Sequence, residues 1–427
     1  MAPMANATST DQVRKFAAEQ FADEPNWLRA RRNRLVEVYL AAPLPVRQRT
    51  PLKSRKLDQI PIATVPGASD LPNDVQNLYQ VANLITVNGQ TMHIHVPPAW
   101  RDQGVILLSM KQAVNVAPQL LEEYLGTVVN DDVDKFQALN GALWQNGIFL
   151  YVPARVTLDH PITVAHFGSS NVSNVLPRSL LVLDQEARAT IIEQYLSEPG
   201  PERSLWAIAT EIVLKDGAQL QYGAMQQLAA TAESFVRRGA QVGRDAHIYW
   251  NLGEFGSSLS IAEHTSLLEA PGGQSDSTTV FFGSGTQHQD YVSVAKHVAP
   301  HTTSRMVARG VMKDDSRSVF TGVTEIKKGA VGTDGRQKEK ILMLSDTARA
   351  DAIPSLLIEE SDVFAAHAAS AGPVDAAAIF YLMSRGLSEA EAIRMVVHGF
   401  LATAIDAIPV DVLRQNVWNA VERKIAE

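Results

Sequence analysis

The chain has 427 residues, 45% hydrophobic but only 7% aromatic, and a net charge of −8 at pH 7. That length can bury a large aliphatic core, and the acidic balance excludes nucleic acid as a principal partner. With no cysteine, the chain cannot supply a thiolate ligand, a persulfide or a disulfide.

Residues 1–10 are small and polar. From Asp11, the recurrence of Val13, Phe16, Ala17 and Phe21 predicts a helix. A second helix follows Pro25, carries Trp27, Leu28, Leu35, Val38 and Tyr39, and ends at Pro43. It displays Arg29, Arg31, Arg32 and Arg34, and the basic run continues through Arg47, Arg49, Lys53, Arg55 and Lys56. A solvated helix face and a basic linker are expected there, in preference to an anion site. Residues 61–72 read as a linker. The N-terminus lacks the basic and apolar regions of a secretion signal, and no apolar run approaches the ~18–20 residues that span a bilayer, so a cytoplasmic location is expected.

From about Val81 to Glu360, short alternating apolar segments follow one another. They include Leu84–Val87, Met92–Val96, Ile148–Val152, Ile208–Leu214, His247–Leu252 and Met306–Val311, each bounded by turn residues. Only 119–125 and 133–140 interrupt them with helical spacing. A loose repeat is visible in which a polar turn is followed by an alanine and then by alternation. Its alanines, Ala187, Ala218 and Ala246, lie 31 and 28 residues apart. That period belongs to solenoids: small turn residues let coils stack while alternation sends one face inward. The fold expected is mainly β, a right-handed parallel β-helix over 81–372, flanked by helical regions at 1–80 and 373–427. A β-sandwich is the structural alternative.

The stretch 340–387 closes the solenoid. Ile341–Leu344 reads as a buried strand, 345–351 as a turn, Ser355–Glu359 as a second strand after Pro354, and 362–371 as an alanine-rich segment holding one histidine, His367. Pro373 is placed to open a helix. Ser388 and Glu391 form a capping box ahead of an apolar stripe, and a last helix follows Pro409.

This stretch resembles the C-terminal signature of the SufB/SufD family, scaffold subunits of the SUF iron–sulfur assembly system. Ser345-Asp346, Pro354, Asp362-Val363, His367, Phe380-Tyr381-Leu382 and Ser384-Arg385-Gly386 stand at matching positions. An upstream block from Gln289-Asp290 to Phe320-Thr321-Gly322 matches too, and the resemblance covers at least 146–401. Where SufB-type chains carry a cysteine in the turn and a glutamate after the histidine, this chain has Ala348 and Ala368, the SufD-type pattern. The resemblance implies a parallel β-helix and a non-catalytic scaffold that pairs with SufB and binds the SufC ATPase. A transient Fe–S cluster would be shared with SufB, none being held stably by this chain alone, and a homodimer is an alternative state in isolation. It also implies that His367 is the cluster, metal or interface residue and that Phe380, Tyr381 and Arg385 lie in the SufC-docking region.

A single imidazole cannot hold a cluster, so the other ligands must come from a partner. His93 and His95 share a strand face without a third ligand, and His297 and His301 are expected to pack on the β-helix surface. Gly329 to Gly335 lacks the lysine and the spacing of a phosphate loop. The alternative function is a β-helical polysaccharide lyase or hydrolase, which needs clustered carboxylates. The adjacent pairs Asp314-Asp315 and Glu359-Glu360 would face opposite sides of a strand.

Overall fold

In a computed structural model, residues 10–57, 60, 62 and 81–427 are described. The expected linker, apart from Ile62, lies outside these residues. Two sheets make up the body, and the chain visits them alternately. One runs Gln90–Ile94 (β2), Leu84–Val87 (β1), Ile162–Gly168 (β5), Arg188–Ser197 (β8), Gln219–Gln227 (β10), His247–Glu254 (β12), Gln274–Gly283 (β14), Thr303–Met312 (β16), Asp334–Met343 (β18) and Phe364–Pro373 (β20). The other runs Arg349–Ile358 (β19), Arg317–Ile326 (β17), His288–His297 (β15), Leu259–Leu268 (β13), Ala232–Val242 (β11), Ser204–Leu214 (β9), Arg178–Leu183 (β7), Ile148–Val152 (β4) and Ile106–Ser109 (β3); a two-residue strand, Asn174–Val175 (β6), also pairs with β9. Neighbours are parallel except β1/β2 and β3/β4, at the starting end. Consecutive strands therefore make up one coil, and successive coils stack in parallel as a β-solenoid, which rules out a β-sandwich.

The repeat seen in the sequence is the coil itself. Ala189 pairs with Leu220, and Leu220 with Ile248, the same offsets as those between the three turn alanines. Ala187, Ala218 and Ala246 are fully buried, and each follows a residue of positive φ: Glu186, Gly217 and Asp245. In this conformation Glu186 donates its N–H to Asp216 O (2.9 Å) of the next coil, and Gly217 to Arg244 O (2.7 Å). The small methyl lets the next turn come that close.

Helices cover the outer faces of the sheets. Thr10–Gln20 (α1), Asn26–Ala41 (α2) and Lys135–Leu143 (α6) pack Val13, Leu35, Phe136 and Leu139 on Leu205, Phe235 and Ile261 of β9, β11 and β13. Pro98–Asp102 (α3) drives Trp100 into the main core at the starting end, where its Nε1 donates to Asp159 (3.0 Å). Met110–Val116 (α4) and Pro118–Tyr124 (α5) lie over Phe149, Leu180 and Val213. At the other end of the chain come Ala376–Ser384 (α7), Glu389–Ile405 (α8) and Asp411–Ala426 (α9). α8 and α9 seat Val397, Leu401, Leu413 and Val417 on Met225, Val280, Phe282 and Val311 of the first sheet.

The basic N-terminal segment is solvated only in part: Arg29, Arg34, Lys53 and Lys56 are exposed, whereas other arginines turn inward. Arg32 is buried: its guanidinium donates to Glu24 (2.6 and 2.8 Å) and to the carbonyls of Ala142 (2.9 Å) and Trp144 (3.1 Å), between the rings of Phe21 and Trp144. Arg31 donates to Asp131 (2.6 Å) and Arg34 to Asp132 (2.7 Å). Arg47 lies 3.6 Å from Asp290, and Thr50 Oγ1 donates to the same carboxylate (2.7 Å), so this segment is strapped along the second sheet. Arg31, Arg34 and Arg47 meet carboxylates far along the chain, beyond the reach of any local pattern, while Arg32 pairs with nearby Glu24 but caps the distant carbonyls of Ala142 and Trp144.

Buried charge ties the cap to the solenoid. Arg178 donates to Asp131 (2.7 Å), Asn140 (3.1 Å) and Glu211 (2.6 Å), and Glu211 also accepts the backbone N–H groups of Gly126, Val128 and Val129. Inside the solenoid, Glu193 accepts from Ser179 (2.5 Å), Tyr195 (3.0 Å), Thr210 (3.3 Å) and Tyr222, with His166 Nε2 at 3.6 Å. Burial raises its carboxyl, but the imidazole and the hydroxyls outweigh burial and hold it at about 2.

Arg178→Ala leaves buried Glu211 without its cation and Asp131 with Arg31 alone, and should cost about 3–5 kcal/mol, read as a fall in denaturation midpoint. For Glu193 the folded pKa lies below the unfolded one, so its stabilisation is complete above the ordinary glutamate value of 4.5 and vanishes as pH falls towards about 2. Glu193→Gln should therefore be less stable by roughly 3 kcal/mol at pH 7, and the gap from wild type should narrow as pH falls from 5 towards about 2 (~1.4 kcal/mol per pKa unit). An equal gap at both ends of a melting series would refute this.

Candidate functional site

The solenoid stops at β19 and β20, and nothing among the described residues pairs with their outer edges. Phe364 N donates to Thr333 O (2.8 Å) and Val374 N to Met343 O (2.9 Å). Backbone direction alternates along a strand, so the N–H groups of Ala365, His367, Ala369 and Ala371 point to the open edge. In β19, Arg349 and Glu359 donate to Ser316 O and Ile326 O, which turns the nitrogen of Pro354 outward. A proline in mid-strand therefore forfeits no ladder bond. This corrects two expectations: β19 starts at Arg349 and contains Pro354, so the turn ends at Ala348. Pro373 ends β20, and the helix opens at Ala376 with Asp375 as its N-cap, accepting from Ala377 N (2.9 Å).

His367 is exposed on β20 in register with Gln337 of β18, whose side chain is buried in the lumen; the imidazole therefore sits on the lumen face of the last coil. Around it Ala365, Ala366, Ala368, Ala369 and Ser370 are small and largely exposed. Ala348 is buried in the preceding turn, and Ala368 lies on the opposite face of β20 from His367. Apolar side chains sit uncovered at the same end: Phe364 is 76% exposed and Leu357 52%.

The sequence reading passed over two neighbours. Glu339, 1% exposed, has neither carboxylate oxygen hydrogen-bonded, and Gln337 has its Oε1 unpartnered while its Nε2 donates to Thr324 Oγ1 (2.7 Å). Burial lifts the Glu339 carboxyl to about 7. In Lys338-Glu339-Lys340 the glutamate looks like one charge among surface charges. Period two gives the signal: Gly335, Gln337, Glu339 and Ile341 share the buried parity, with Arg336, Lys338 and Lys340 outside.

Phe380, Tyr381 and Arg385 lie on and just after α7, the helix that projects from the body. Phe380 is 74% exposed and Tyr381 57%, while Arg385 Nη2 donates to the Tyr381 hydroxyl (3.1 Å) across the ring. His367 and this trio are separate features of one end.

Other candidates resolve into structure. His297 is fully buried, against the surface position expected, because its ring nitrogens bond Thr302 (2.8 Å) and Ser304 (2.9 Å). His93 is on β2 and His95 just after it, at the opposite end. Glu359 and Glu360 bind Lys327 (2.9 Å) and Lys328 (3.1 Å), and Asp314 sits in a turn accepting from Gly285 N (2.8 Å), so neither pair forms an acid–base cleft. Among the described residues no three histidine, aspartate or glutamate side chains converge on a metal position, and no helix is long and apolar enough to cross a membrane.

Comparison with known proteins bears on this end of the molecule. Residues 166–400 match the family described as "SUF system FeS cluster assembly, SufBD core domain", and 68–164 match the "SufBD protein N-terminal region". The chain is 32% identical to the iron–sulfur cluster assembly protein SufD of Bacillus subtilis (strain 168), over 98% of both chains. It is 23% identical to SufB of the same organism, over 91% of this chain and 87% of that one. A SufBD family protein of Staphylococcus saprophyticus is 28% identical over 73% of this chain and 67% of its own length. The solenoid that ends in an open coil around His367 thus belongs to the SufB/SufD family of iron–sulfur cluster assembly proteins, with the SufD members.

Proposed function

We propose that this chain is a non-catalytic scaffold subunit that pairs through β19 and β20 with a SufB-type subunit and carries a SufC-type ATPase on α7. The observation that carries the reading is the open terminal coil, with unpaired N–H groups on one edge and His367 facing its lumen. An exposed ten-residue strand of small side chains is a template for another strand. A pairing partner would continue both sheets and bring its own ligands up to the imidazole.

The cluster is cargo in this scheme. Without cysteine, the chain offers no sulfur donor, so thiolate and sulfide come from across the junction. Hydrolysis in the ATPase would be transmitted through α7, which follows β20 after only two residues, Val374 and Asp375. A pull on that helix acts directly on the strand that bears His367.

His367→Ala should change stability by no more than ~1–2 kcal/mol, because its side chain is exposed and unpacked. Subunit assembly and ATPase activity of the complex should persist, while the cluster absorbance formed from iron and sulfide falls severely. Normal cluster yield in the variant complex would refute the role.

Phe380→Ala with Tyr381→Ala should abolish capture of the ATPase subunit without lowering the melting temperature, since both rings are exposed. Deleting 388–427 is a poorer test, because it strips the cover from Met225, Val280, Phe282 and Val311. Undiminished ATPase capture by the double variant would place docking elsewhere.

A further inference from the structure

Among the described residues, Glu339 is the lumen carboxylate with no partner on either oxygen. The others are engaged: Glu193 by four hydroxyls and Glu254 by Arg238 (3.0 Å). Leaving a buried carboxylate unpaired is costly, and such groups persist where a ligand supplies what the protein lacks. The surroundings keep room for one. Ala308 and Ala369 flank Glu339 on the neighbouring strands, and Gly322 faces it from the other sheet. A methyl at Gly322 would collide with Glu339 Oε1 and stand 2.9 Å from Gln337 Oε1, so both free oxygens border the same spot. His367 lies one strand further along the lumen, directly beside Gln337 in the ladder and diagonal to Glu339.

We infer that the lumen of the last coil is a loading site for one divalent first-row cation, held by Glu339 and the amide oxygen of Gln337 with His367 as the nitrogen donor. A carboxylate, an amide oxygen and an imidazole are a mixed oxygen and nitrogen set, suited to ferrous iron, manganese or cobalt(II) more than to the thiophilic ions. Water or a partner's group completes the shell. In the assembly reaction the cation is ferrous iron, an identity that rests on the proposed function; the site itself rests on the side chains. The coil would then hold iron at the junction before sulfide arrives, on the scaffold that lacks sulfur ligands.

The test is an anaerobic titration of the full purified chain with cobalt(II), followed by its visible absorption and by the rise in melting temperature at saturation. One site per chain is expected. Glu339→Gln should weaken it roughly tenfold or more and remove the thermal shift, and His367→Ala should alter the cobalt spectrum. Without cation, Glu339→Gln should melt no lower than wild type, since it removes an unpaired buried charge. A double variant, His93→Ala with His95→Ala, should bind as wild type does. No saturable site, or one indifferent to both Glu339→Gln and His367→Ala, would overturn the inference. Because the titration needs no second subunit, it is decided separately from pairing with a SufB-type partner.

Discussion

A parallel solenoid borrows the hydrogen bonds of each strand from the coils on either side, and its two ends are where that lending stops. Everything distinctive in this molecule is a response to that constraint. At the starting end the edges are cut short: β2 has five residues and β3 four, both turned antiparallel, and Trp100 fills the lumen behind them. At the finishing end β19 and β20 keep ten residues each, and their outer N–H groups and carbonyls have no strand beside them. Natural sheets seldom leave so long an edge unguarded without a use for it.

The interior follows from the same stacking. Each coil places residues of one parity in a narrow lumen, so a polar residue admitted there must find partners among the coils above and below. Glu193 does so with hydroxyls from β7, β8, β9 and β10. Outside, the helices and Arg178 lock the early coils, while α8 and α9 lock the later ones on the opposite face. The last coil receives neither kind of support; its outside tie is the Arg49–Asp351 ion pair on β19, and most side chains of β20 are exposed.

Much of this was legible. The alanine-anchored turns and the alternation announce the coil because both are local, and the signature around His367 is contiguous in sequence. The fates of Arg32, Arg178 and Glu339 were not. Nothing local marks them as buried: the fold brings Arg32 to the carbonyls of Ala142 and Trp144 and Arg178 to Asp131 and Glu211, and gives the Glu339 carboxylate no partner. Strand lengths were underestimated for a related reason: Pro354 reads as a breaker unless one knows that its nitrogen faces an empty edge.

The contrast between the two ends also limits how such rods could join. A rod tacky at both ends would add copies head to tail and grow into a fibre. Here the blunt β2/β3 end offers no comparable template, so a second solenoid joined at β19 and β20 uses up the only long free edge among the described residues. Growth through that edge would end at two rods, whichever rod the second one were.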